Sequence, residues 1–223
     1  MFISRETSDW RISWRQNLRS MLRHALPHIT EHTIEQLVTF AEKILEANEL
    51  LHLVSQREPE REVVKQILDS ATVLKHISFL TGCRLLDVGS GAGFPGIVLK
   101  LLFPGISLLS LDSAPRKVTF QSEVCSLLGV DAVFIESDLR RFAPENQVDV
   151  VIVKALSAYD AVVRRSRNWL HPLGWLIFMG GKQPNPSVAA SVAKFSEFSE
   201  VIYLPYSLVE FDSTRHLVIS YKK

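Results

Sequence analysis

The sequence lacks cysteine in the numbers that a disulfide framework requires, since only Cys83 and Cys125 occur among 223 residues. We expect both cysteines to be small buried apolar side chains of a protein in a reducing compartment. Their low number excludes the class of disulfide-stabilised secreted domains. The chain also lacks an apolar run of about 18 residues, the length that crosses a membrane. Residues 1–16 contain no apolar leader segment. We therefore expect a cytoplasmic protein that neither spans a membrane nor carries a secretion signal.

A strong net charge is absent too, because 25 basic residues face 24 acidic ones and leave a formal charge of +1. This excludes a field of one sign over the whole molecule, so any surface that binds nucleic acid must be a local patch. Histidine and cysteine do not occur at the spacing of a zinc site, and we expect no structural metal. What the chain does have is apolar material, at 47% of all residues, which is ample for one core.

Residues 1–81 carry the periodicity of helices. Apolar side chains recur three or four positions apart in three stripes, with Pro27 closing the first stripe and Pro59 separating the second from the third. We predict an N-terminal helical extension over residues 1–81, packed on a core over residues 82–223. The stripes begin with Trp10, Trp14 and Leu18, with Ile34, Leu37 and Val38, and with Val63, Val64 and Ile67.

Residues 82–223 alternate short apolar runs with helical segments. Runs such as VVIV (150–153) and LIFM (176–179) have no polar alternation, which is typical of strands covered on both faces in a parallel sheet. A short link separates the last two runs, and this favours an antiparallel hairpin at the sheet edge. The predicted strands are 84–88, 107–112, 132–135, 148–153, 175–179, 201–205 and 216–221, and the predicted helices lie near 95–103, 115–128, 157–170 and 187–197.

A glycine-rich loop follows the first predicted strand. The strand ends in Asp87, and Gly89, Gly91 and Gly93 follow at alternate positions, before a helix that begins near Pro95. Glycine lets the backbone turn sharply and lets a ligand approach closely, while the helix start offers free N–H groups. The spacing after an acidic strand end favours S-adenosylmethionine (SAM). Because a glycine motif alone is weak evidence, NAD(P) and a loop without a ligand stay open as alternatives.

Acidic residues at the next strand ends favour the same cofactor. Asp112 closes the second strand, where a carboxylate accepts hydrogen bonds from ribose hydroxyls; the alternative, a cap for the next helix, is compatible with that role. Asp138 follows the third strand, and we expect it near the adenine amino group. The predicted fold is α/β, a Rossmann-like class I SAM-dependent methyltransferase with a mostly parallel seven-stranded sheet. The predicted cofactor-binding residues are Asp87, Gly89, Ser90, Gly91, Gly93, Phe94, Asp112, Ser113, Ser137, Asp138, Leu139 and Lys154.

Several segments together are more specific than the generic glycine motif. Residues 87–97 read DVGSGAGFPGI, residues 111–113 read LDS with Arg116 and Lys117 after them, and residues 215–218 read RHLV. With ILDS at 67–70 and with Asn48, the chain resembles the GidB/RsmG family from about residue 35 to residue 221. The resemblance implies a SAM-dependent enzyme that methylates N7 of a guanine in the decoding-region loop of bacterial small-subunit ribosomal RNA. We further predict a monomer whose partner is the small ribosomal subunit.

The chain departs from the usual pattern of that family at positions at or near its cofactor and RNA sites. Two alternatives therefore stay open, a SAM methyltransferase of a small molecule or protein, and a SAM- or RNA-binding protein that has lost catalysis. The departures are Ala47 for Trp, His52 for Asn, Val54 for Thr, Gln66 for His, Asp138 for Arg, Arg140 for an acidic residue and Lys154 for Arg.

The residues present favour guanine N7 over other target atoms. A cytosine C5 target needs a nucleophilic cysteine, whereas Cys83 precedes the first strand and Cys125 lies within a predicted helix. An exocyclic amine usually needs an Asn/Asp-Pro-Pro-aromatic loop after the fourth strand, where this chain reads VKALS (153–157). Guanine N7 has an in-plane lone pair and no proton to remove. A cation that orients the base through O6 and N7 is then sufficient, without a general base.

Lys154 is the predicted catalytic residue, as the cation that positions the target base at the carboxyl end of the fourth strand. The resemblance implies that it replaces an RNA-binding arginine, so the charge is kept and the planar fork is lost; the alternative is a solvated lysine. Arg116 and Lys117 open a helix, where the dipole disfavours cations, so a bound phosphate explains them; an ordinary solvated pair stays open as the alternative. The resemblance also assigns Arg215 to RNA contact, so the predicted RNA-binding residues are Arg116, Lys117, Lys154 and Arg215.

A basic ridge runs along the first predicted helix, because four arginines recur every four residues. We favour its interpretation as the solvated face of an amphipathic helix, and the alternative is a ridge that follows RNA phosphates. The ridge consists of Arg11, Arg15, Arg19 and Arg23.

Overall fold

Helices and strands follow the sequence pattern over residues 10–223, which are the residues that the computed structural model describes. Residues 1–9, the beginning of the predicted extension and of the segment expected to lack a leader, lie outside the described residues. The helices are α1 (Trp10–Ala25), α2 (Glu31–Leu51), α3 (Pro59–Thr72), α4 (Gly96–Leu102), α5 (Pro115–Leu128), α6 (Tyr159–Trp169) and α7 (Pro186–Val192). The strands are β1 (Arg84–Val88), β2 (Ser107–Asp112), β3 (Val133–Glu136), β4 (Val148–Lys154), β5 (Leu170–Gly180), β6 (Ile202–Leu208) and β7 (Ser213–Tyr221).

The seven strands form one sheet in the order β3-β2-β1-β4-β5-β7-β6. β1 to β5 run parallel, and β7 is antiparallel to both β5 and β6. The prediction of a mostly parallel sheet with an antiparallel C-terminal hairpin is confirmed. Because β1 lies between β2 and β4, the strand order reverses there, and such a reversal opens a crevice at the carboxyl ends of the strands.

Two element ends differ from the prediction by five residues, and the facing ends of β6 and β7 differ by three residues each. β5 begins at Leu170 rather than near 175, because Leu170 already pairs with Val148 of β4 before an irregularity in the register. α7 ends at Val192 rather than at 197. Phe198 instead forms an isolated antiparallel bridge with Lys222 and is buried. The apolar residues after α7 therefore lie in a turn, in which the phenylalanines pack on the core, and do not continue the helix.

Apolar side chains cover both faces of the sheet, as the runs without polar alternation predict. Leu85 and Ile152 belong to a buried cluster with residues of α1 to α5, whereas Leu86 and Val151 belong to a second cluster with α6 and α7. The first cluster contains residues from both sides of position 82 in one continuous core. The division of the chain into an extension and a core at that position therefore stays a prediction.

The basic ridge of α1 lies against acidic side chains of α2. Three of its arginines form ion pairs with N–O distances of 2.6 to 2.7 Å, while 30 to 50% of each arginine side chain stays exposed. The ridge is thus a solvated helix face, as favoured, but its charge is balanced by α2. This balance gives no support to a ridge that follows RNA phosphates. The pairs are Arg15 with Glu42, Arg19 with Glu35 and Arg23 with Glu31.

The prediction of small buried thiols is confirmed, since Cys83 and Cys125 are both buried and unpaired. Burial, with a contribution from the charge of Asp149, raises the pKa of Cys83 to about 11, and burial raises the pKa of Cys125 to about 12. Between residues 10 and 223, no helix has both the length and the apolar character to cross a membrane. Within the same range, no cluster of three or more His, Cys, Asp or Glu side chains is arranged to hold a metal ion.

Candidate active site

The glycine loop between β1 and α4 has a backbone that other residues adopt with difficulty. Gly89, Gly91 and Gly93 have φ angles of +72°, +58° and +98°. At Gly93 an added Cβ would lie 2.3 Å from Cδ1 of Ile97. At Gly91 the nearest atom to an added Cβ is the carbonyl oxygen of Gly89, 4.0 Å away. The middle of the loop is therefore open to a ligand, while its last glycine is closely packed on α4.

A buried glutamine of α5 holds the loop in this shape. Nε2 of Gln121 donates to the carbonyl oxygen of Gly91 at 2.8 Å and to Oγ of Ser90 at 2.9 Å. Oγ of Ser110 on β2 donates to Oε1 of Gln121 at 2.5 Å. The hydroxyl of Ser90 is thus bound within the protein, and its contact with a cofactor stays a prediction. Sequence reasoning missed Gln121, although a lone glutamine beside the buried Phe120 is the signal that would have found it.

Gln121→Ala is expected to lower the free energy of unfolding by about 1–3 kcal/mol, because it leaves buried hydroxyls without their partner. SAM affinity is expected to fall as well, since the carbonyl of Gly91 loses its donor. Urea unfolding and calorimetric titration with SAM measure the two effects. Thr119→Ala, at an exposed position of the same helix, is the matched control and should change neither. Equal effects in both variants would show that the glutamine does not hold the loop.

Asp112, at the end of β2, joins the glycine loop to the start of α5. Its Oδ2 accepts a hydrogen bond from the backbone N–H of Gly91 at 2.8 Å, and its Oδ1 accepts one from the N–H of Ala114 at 2.9 Å. The residue at the N-cap of α5 is Ala114, so Asp112 supports the helix start without being its cap. The carboxylate is only partly buried and each oxygen keeps a free lone pair, so it can also accept ribose hydroxyls.

Asp112→Ala is expected to weaken SAM binding by about 1–3 kcal/mol, which corresponds to roughly 5-fold to 150-fold in Kd. The variant removes both the expected ribose acceptor and the bond that holds Gly91. Calorimetric titration with SAM measures the change. Asp138→Ala is the comparison at the next strand end, and its smaller effect is expected because 39% of that side chain is exposed and its Oδ1 already accepts from Arg140. Full affinity in Asp112→Ala would leave Asp112 as a support of α5 alone.

Asp87, at the end of β1, is completely buried and only half satisfied. Its Oδ2 accepts the N–H of Gly96 at 2.8 Å, whereas its Oδ1 has no hydrogen-bond partner within the described residues. Burial raises the pKa of Asp87 to about 7; the N–H of Gly96 and the charge of Lys154 lower it in part, and the charge of Asp112 adds to the rise. A buried acceptor without a partner, next to a loop with open space, fits a bound cofactor that carries a donor or a cation, as SAM does.

The segment after β3 adjoins the same edge of the sheet. The N–H of Ser137 donates to the carbonyl of Asp112 at 3.1 Å. Asp138 accepts from both the backbone N–H and Nε of Arg140, at 2.7 and 3.2 Å, and these contacts lower its pKa. The two residues depart from the family pattern by exchanging charges, and the structure pairs them with each other. Adenine contacts by Asp138 and by the neighbouring Leu139 stay predictions, as does a contact by the exposed Ser113.

Lys154, at the end of β4, is buried in an ion pair, so the alternative of a solvated lysine is wrong. Its Nζ lies 2.9 Å from Oδ2 of Asp69 on α3, and 9% and 7% of the two side chains are exposed. The hydroxyl of Tyr206 on β6 donates to Oδ1 of the same carboxylate at 2.7 Å. Nζ also lies 5.5 Å from the ring centroid of Phe94, which is buried against the core. Lys154 thus connects the helical segment to the glycine loop.

The other three predicted RNA contacts lie on both sides of this centre. Arg215 on β7 is the register partner of Tyr206, and its buried Nε has no hydrogen-bond partner within residues 10–223. Arg116 and Lys117 open α5, and their side chains form no ion pair with the described residues. Arg116 is exposed and Lys117 is partly buried. The structure therefore brings Arg215 next to the Lys154 centre through Tyr206 and leaves the α5 pair beyond Asp112.

The sheet order, the glycine loop after β1 and the carboxylate after β2 define a class I SAM-dependent methyltransferase. Solved structures are similar in fold at low identity, which shows the fold alone. TrmN from Thermus thermophilus is 17% identical with a TM-score of 0.58, over 70% of this chain and 49% of that one. A SAM-dependent methyltransferase from Aquifex aeolicus is 17% identical with a TM-score of 0.57, over 82% of this chain and 98% of that one.

Within that class the sequence identifies the family. The model of the GidB family, described as rRNA small subunit methyltransferase G, matches residues 33–218, and the chain belongs to this family. The ribosomal RNA small subunit methyltransferase G of Vibrio atlanticus is 32% identical over 189 residues, which cover 82% of this chain and 85% of that one. The protein of the same name from Vibrio campbellii is 33% identical over 195 residues, covering 85% and 88%. The resemblance found in the motifs is confirmed.

Proposed function

We propose that this protein transfers a methyl group from SAM to N7 of a guanine in the decoding-region loop of small-subunit ribosomal RNA. The observation that carries the proposal is the family match over residues 33–218, under the description rRNA small subunit methyltransferase G. Relatives that carry the same name cover more than four fifths of the chain. The chemistry of the site, residue by residue, supports the target atom.

The residues at the carboxyl edge of the sheet fit a reaction without a general base or a covalent intermediate. SAM, when bound, supplies a methyl group on a sulfonium that an in-line attack removes. Gly91 and Asp112 would hold the nucleoside, and the unpartnered Oδ1 of Asp87 would meet a donor of the cofactor. The raised pKa values of Cys83 and Cys125 keep both thiols protonated at neutral pH, and a protonated thiol is a poor nucleophile. N7 of guanine needs only to be held in line with the methyl carbon.

Lys154 has the donor capacity to hold the base. An ammonium has three N–H donors, and the carboxylate of Asp69 takes one at 2.9 Å. The other neighbours, the carbonyl of Gln66 and Oγ of Ser70, lie at 3.4 Å, which is long for a hydrogen bond. The ammonium can therefore donate to O6 of guanine while N7 keeps its lone pair for the methyl group. Arg215 lies beside it on β7, and its buried Nε has no hydrogen-bond partner within the described residues.

A methyl-transfer assay tests the proposal. Small ribosomal subunits from a strain without this protein, the naked RNA of those subunits, and a protein and metabolite extract of the same strain are each incubated with tritiated SAM. We expect tritium in the ribosomal RNA of the intact subunits, either with or without label in the naked RNA. Label in the extract only would favour a small-molecule or protein substrate. SAM binding without any transfer would favour a relative that has lost catalysis.

Arg116→Gln combined with Lys117→Gln is expected to weaken RNA binding and to flatten its salt dependence. Each lost phosphate contact removes about 0.7 from the slope of log K against log salt for a single strand. Filter binding at several salt concentrations measures this slope. Arg19→Gln combined with Arg23→Gln removes the same charge from the ridge paired with α2 and should leave the slope unchanged. The same slope in all three proteins would exclude α5 from the RNA surface.

We further propose that the protein acts as a monomer in the cytoplasm, with the small ribosomal subunit as its partner. Ribosomal RNA as the substrate supports a cytoplasmic location, and two unpaired cysteines agree with a reducing compartment. Sedimentation of the protein alone and in the presence of small subunits tests both statements. A stable dimer without subunits would contradict the monomer.

A further inference from the structure

A buried cluster of charged and polar side chains joins α3 to the carboxyl ends of β4 and β6 and to the amino end of β7. It consists of Asp69, Lys154 and Tyr206, with Arg215 beside it. We propose that Asp69 is a positioning residue, which holds the ammonium of Lys154 where it donates to O6 of the target guanine. This inference rests on the proposed function. It assigns part of the active site to the helical segment before the sheet.

The geometry fixes the carboxylate from two sides. Oδ1 of Asp69 accepts the hydroxyl of Tyr206 at 2.7 Å, and Oδ2 faces Nζ of Lys154 at 2.9 Å. Tyr206 acts as the donor, because burial and the charge of Asp69 raise the pKa of its hydroxyl. Asp69 also lies on a helix whose next residue, Ser70, donates from Oγ to the carbonyl of Gln66 at 2.7 Å. The carboxylate is therefore held through both of its oxygens, by Tyr206 and by Lys154.

A lysine needs such a partner more than an arginine does. Its ammonium is a point charge at the end of a flexible four-carbon chain, whereas a guanidinium is planar and ordered in advance. The long side chain of Lys154 therefore gains a defined position only from its neighbours. Asp69 provides the charged contact, and the ring of Phe94 in the glycine loop lies 5.5 Å from Nζ. The ammonium is thus held between the helical segment and the loop that binds SAM.

The two cations of the cluster differ in their ion pairing, and this suits them to different parts of the RNA, Lys154 to the base and Arg215 to a phosphate. Lys154 is paired, so it meets a neutral base as a donor whose charge is already balanced by Asp69. Arg215 has no ion pair among the described residues, and its buried Nε has no acceptor. An unbalanced guanidinium suits a phosphate. A pair that served stability alone would not need to lie beside an unpartnered cation and the glycine loop, because apolar residues of similar size often replace buried pairs without loss.

The test is a double-mutant cycle on the full-length protein with small ribosomal subunits and SAM. Asp69→Asn is expected to lower kcat by about 10-fold to 100-fold, the range expected for a misplaced reacting group. The KM for subunits and the Kd for SAM should stay within about twofold. Rates of all variants are taken per SAM-binding site counted by calorimetry, because a loss of folding lowers the number of sites and leaves the rate per site unchanged. Combined with Lys154→Met, Asp69→Asn should cause no further loss, because its effect passes through the missing ammonium.

A second variant keeps the test valid if Asp69→Asn folds poorly in urea unfolding. Tyr206→Phe removes one hydrogen bond to the carboxylate and is expected to lower kcat roughly fivefold, again without effect in the Lys154→Met background. If the kcat losses of the single variants multiply in both double variants, or if the only change is a higher Kd for SAM, the positioning role is overturned. The proposed function still stands in that case, provided that the wild type methylates the subunits. An inactive wild type would overturn the proposed function and this inference together.

Discussion

Lys154→Met is expected to lower the free energy of unfolding by about 3–5 kcal/mol, because it leaves the carboxylate of Asp69 buried without its cation. Both side chains of the pair are more than nine-tenths buried, so water does not replace the lost partner. The hydroxyl of Tyr206 still donates to the other oxygen, but a single neutral donor does not balance a buried charge. Urea unfolding at pH 7.5, with and without the substitution, measures the difference.

The matched control is Lys194→Met. Lys194 is paired with Asp160 at 2.8 Å, but 56% and 55% of these side chains are exposed. An exposed pair contributes about 1 kcal/mol or less, so the control should unfold nearly like the wild type. The double variant Lys154→Met with Asp69→Leu should recover much of the lost stability, because no buried charge remains. Equal losses from Lys154→Met and Lys194→Met would refute the buried pair.

Asp87→Asn is expected to change how stability depends on pH. The pKa of Asp87 is raised to about 7 in the folded protein by burial, from its ordinary value of 3.8. A raised pKa means that the folded state favours the protonated carboxyl. Its contribution to stability is therefore fully present below about pH 4 and is lost as pH rises through about 7. Asparagine does not titrate, so the variant lacks this loss.

The expected result is that the free energy of unfolding of the variant rises relative to that of the wild type between pH 4 and pH 8. Each unit of pKa difference corresponds to about 1.4 kcal/mol, which gives a total of about 4 kcal/mol. Urea unfolding without cofactor, at four values of pH, measures the relative change. Asp138→Asn serves as a control without a trend in this range, since the pKa of Asp138 is lowered in the folded protein and its effect on stability changes only below about pH 4. A constant difference between Asp87→Asn and wild type would contradict the buried, half-satisfied carboxyl.

Much of the fold could be predicted because its signals are local. The run VVIV is apolar at every position since β4 is covered on both faces, and the alternate glycines after Asp87 permit the positive φ angles that the loop has. The predicted end of α7 was wrong because a local signal can be ambiguous. The apolar spacing of Phe195 and Phe198 is the same whether they continue a helix or pack from a turn, and only the bridge to Lys222 decides.

The parts of the site that escaped prediction depend on contacts between distant residues. Asp69 and Lys154 are far apart in sequence, so the motif that contains Asp69 did not reveal its partner. Gln121 similarly binds a loop that precedes it in the chain by a helix and a strand, α4 and β2. The ridge on α1 was predicted as a solvated face, but the glutamates that balance it, such as Glu35, belong to another helix. A sequence shows which side chains are polar, and the fold decides which charge each one meets.

The most direct test of the central claim is to map the methylated atom. Small ribosomal subunits from a strain without this protein are incubated with the purified protein and SAM, and the RNA is then treated with borohydride and aniline, which cleave the strand at N7-methylguanine. We expect one new break, in the decoding-region loop, and none without SAM. Incorporation of methyl groups without a break, or a break elsewhere in the RNA, would contradict guanine N7 of that loop as the target.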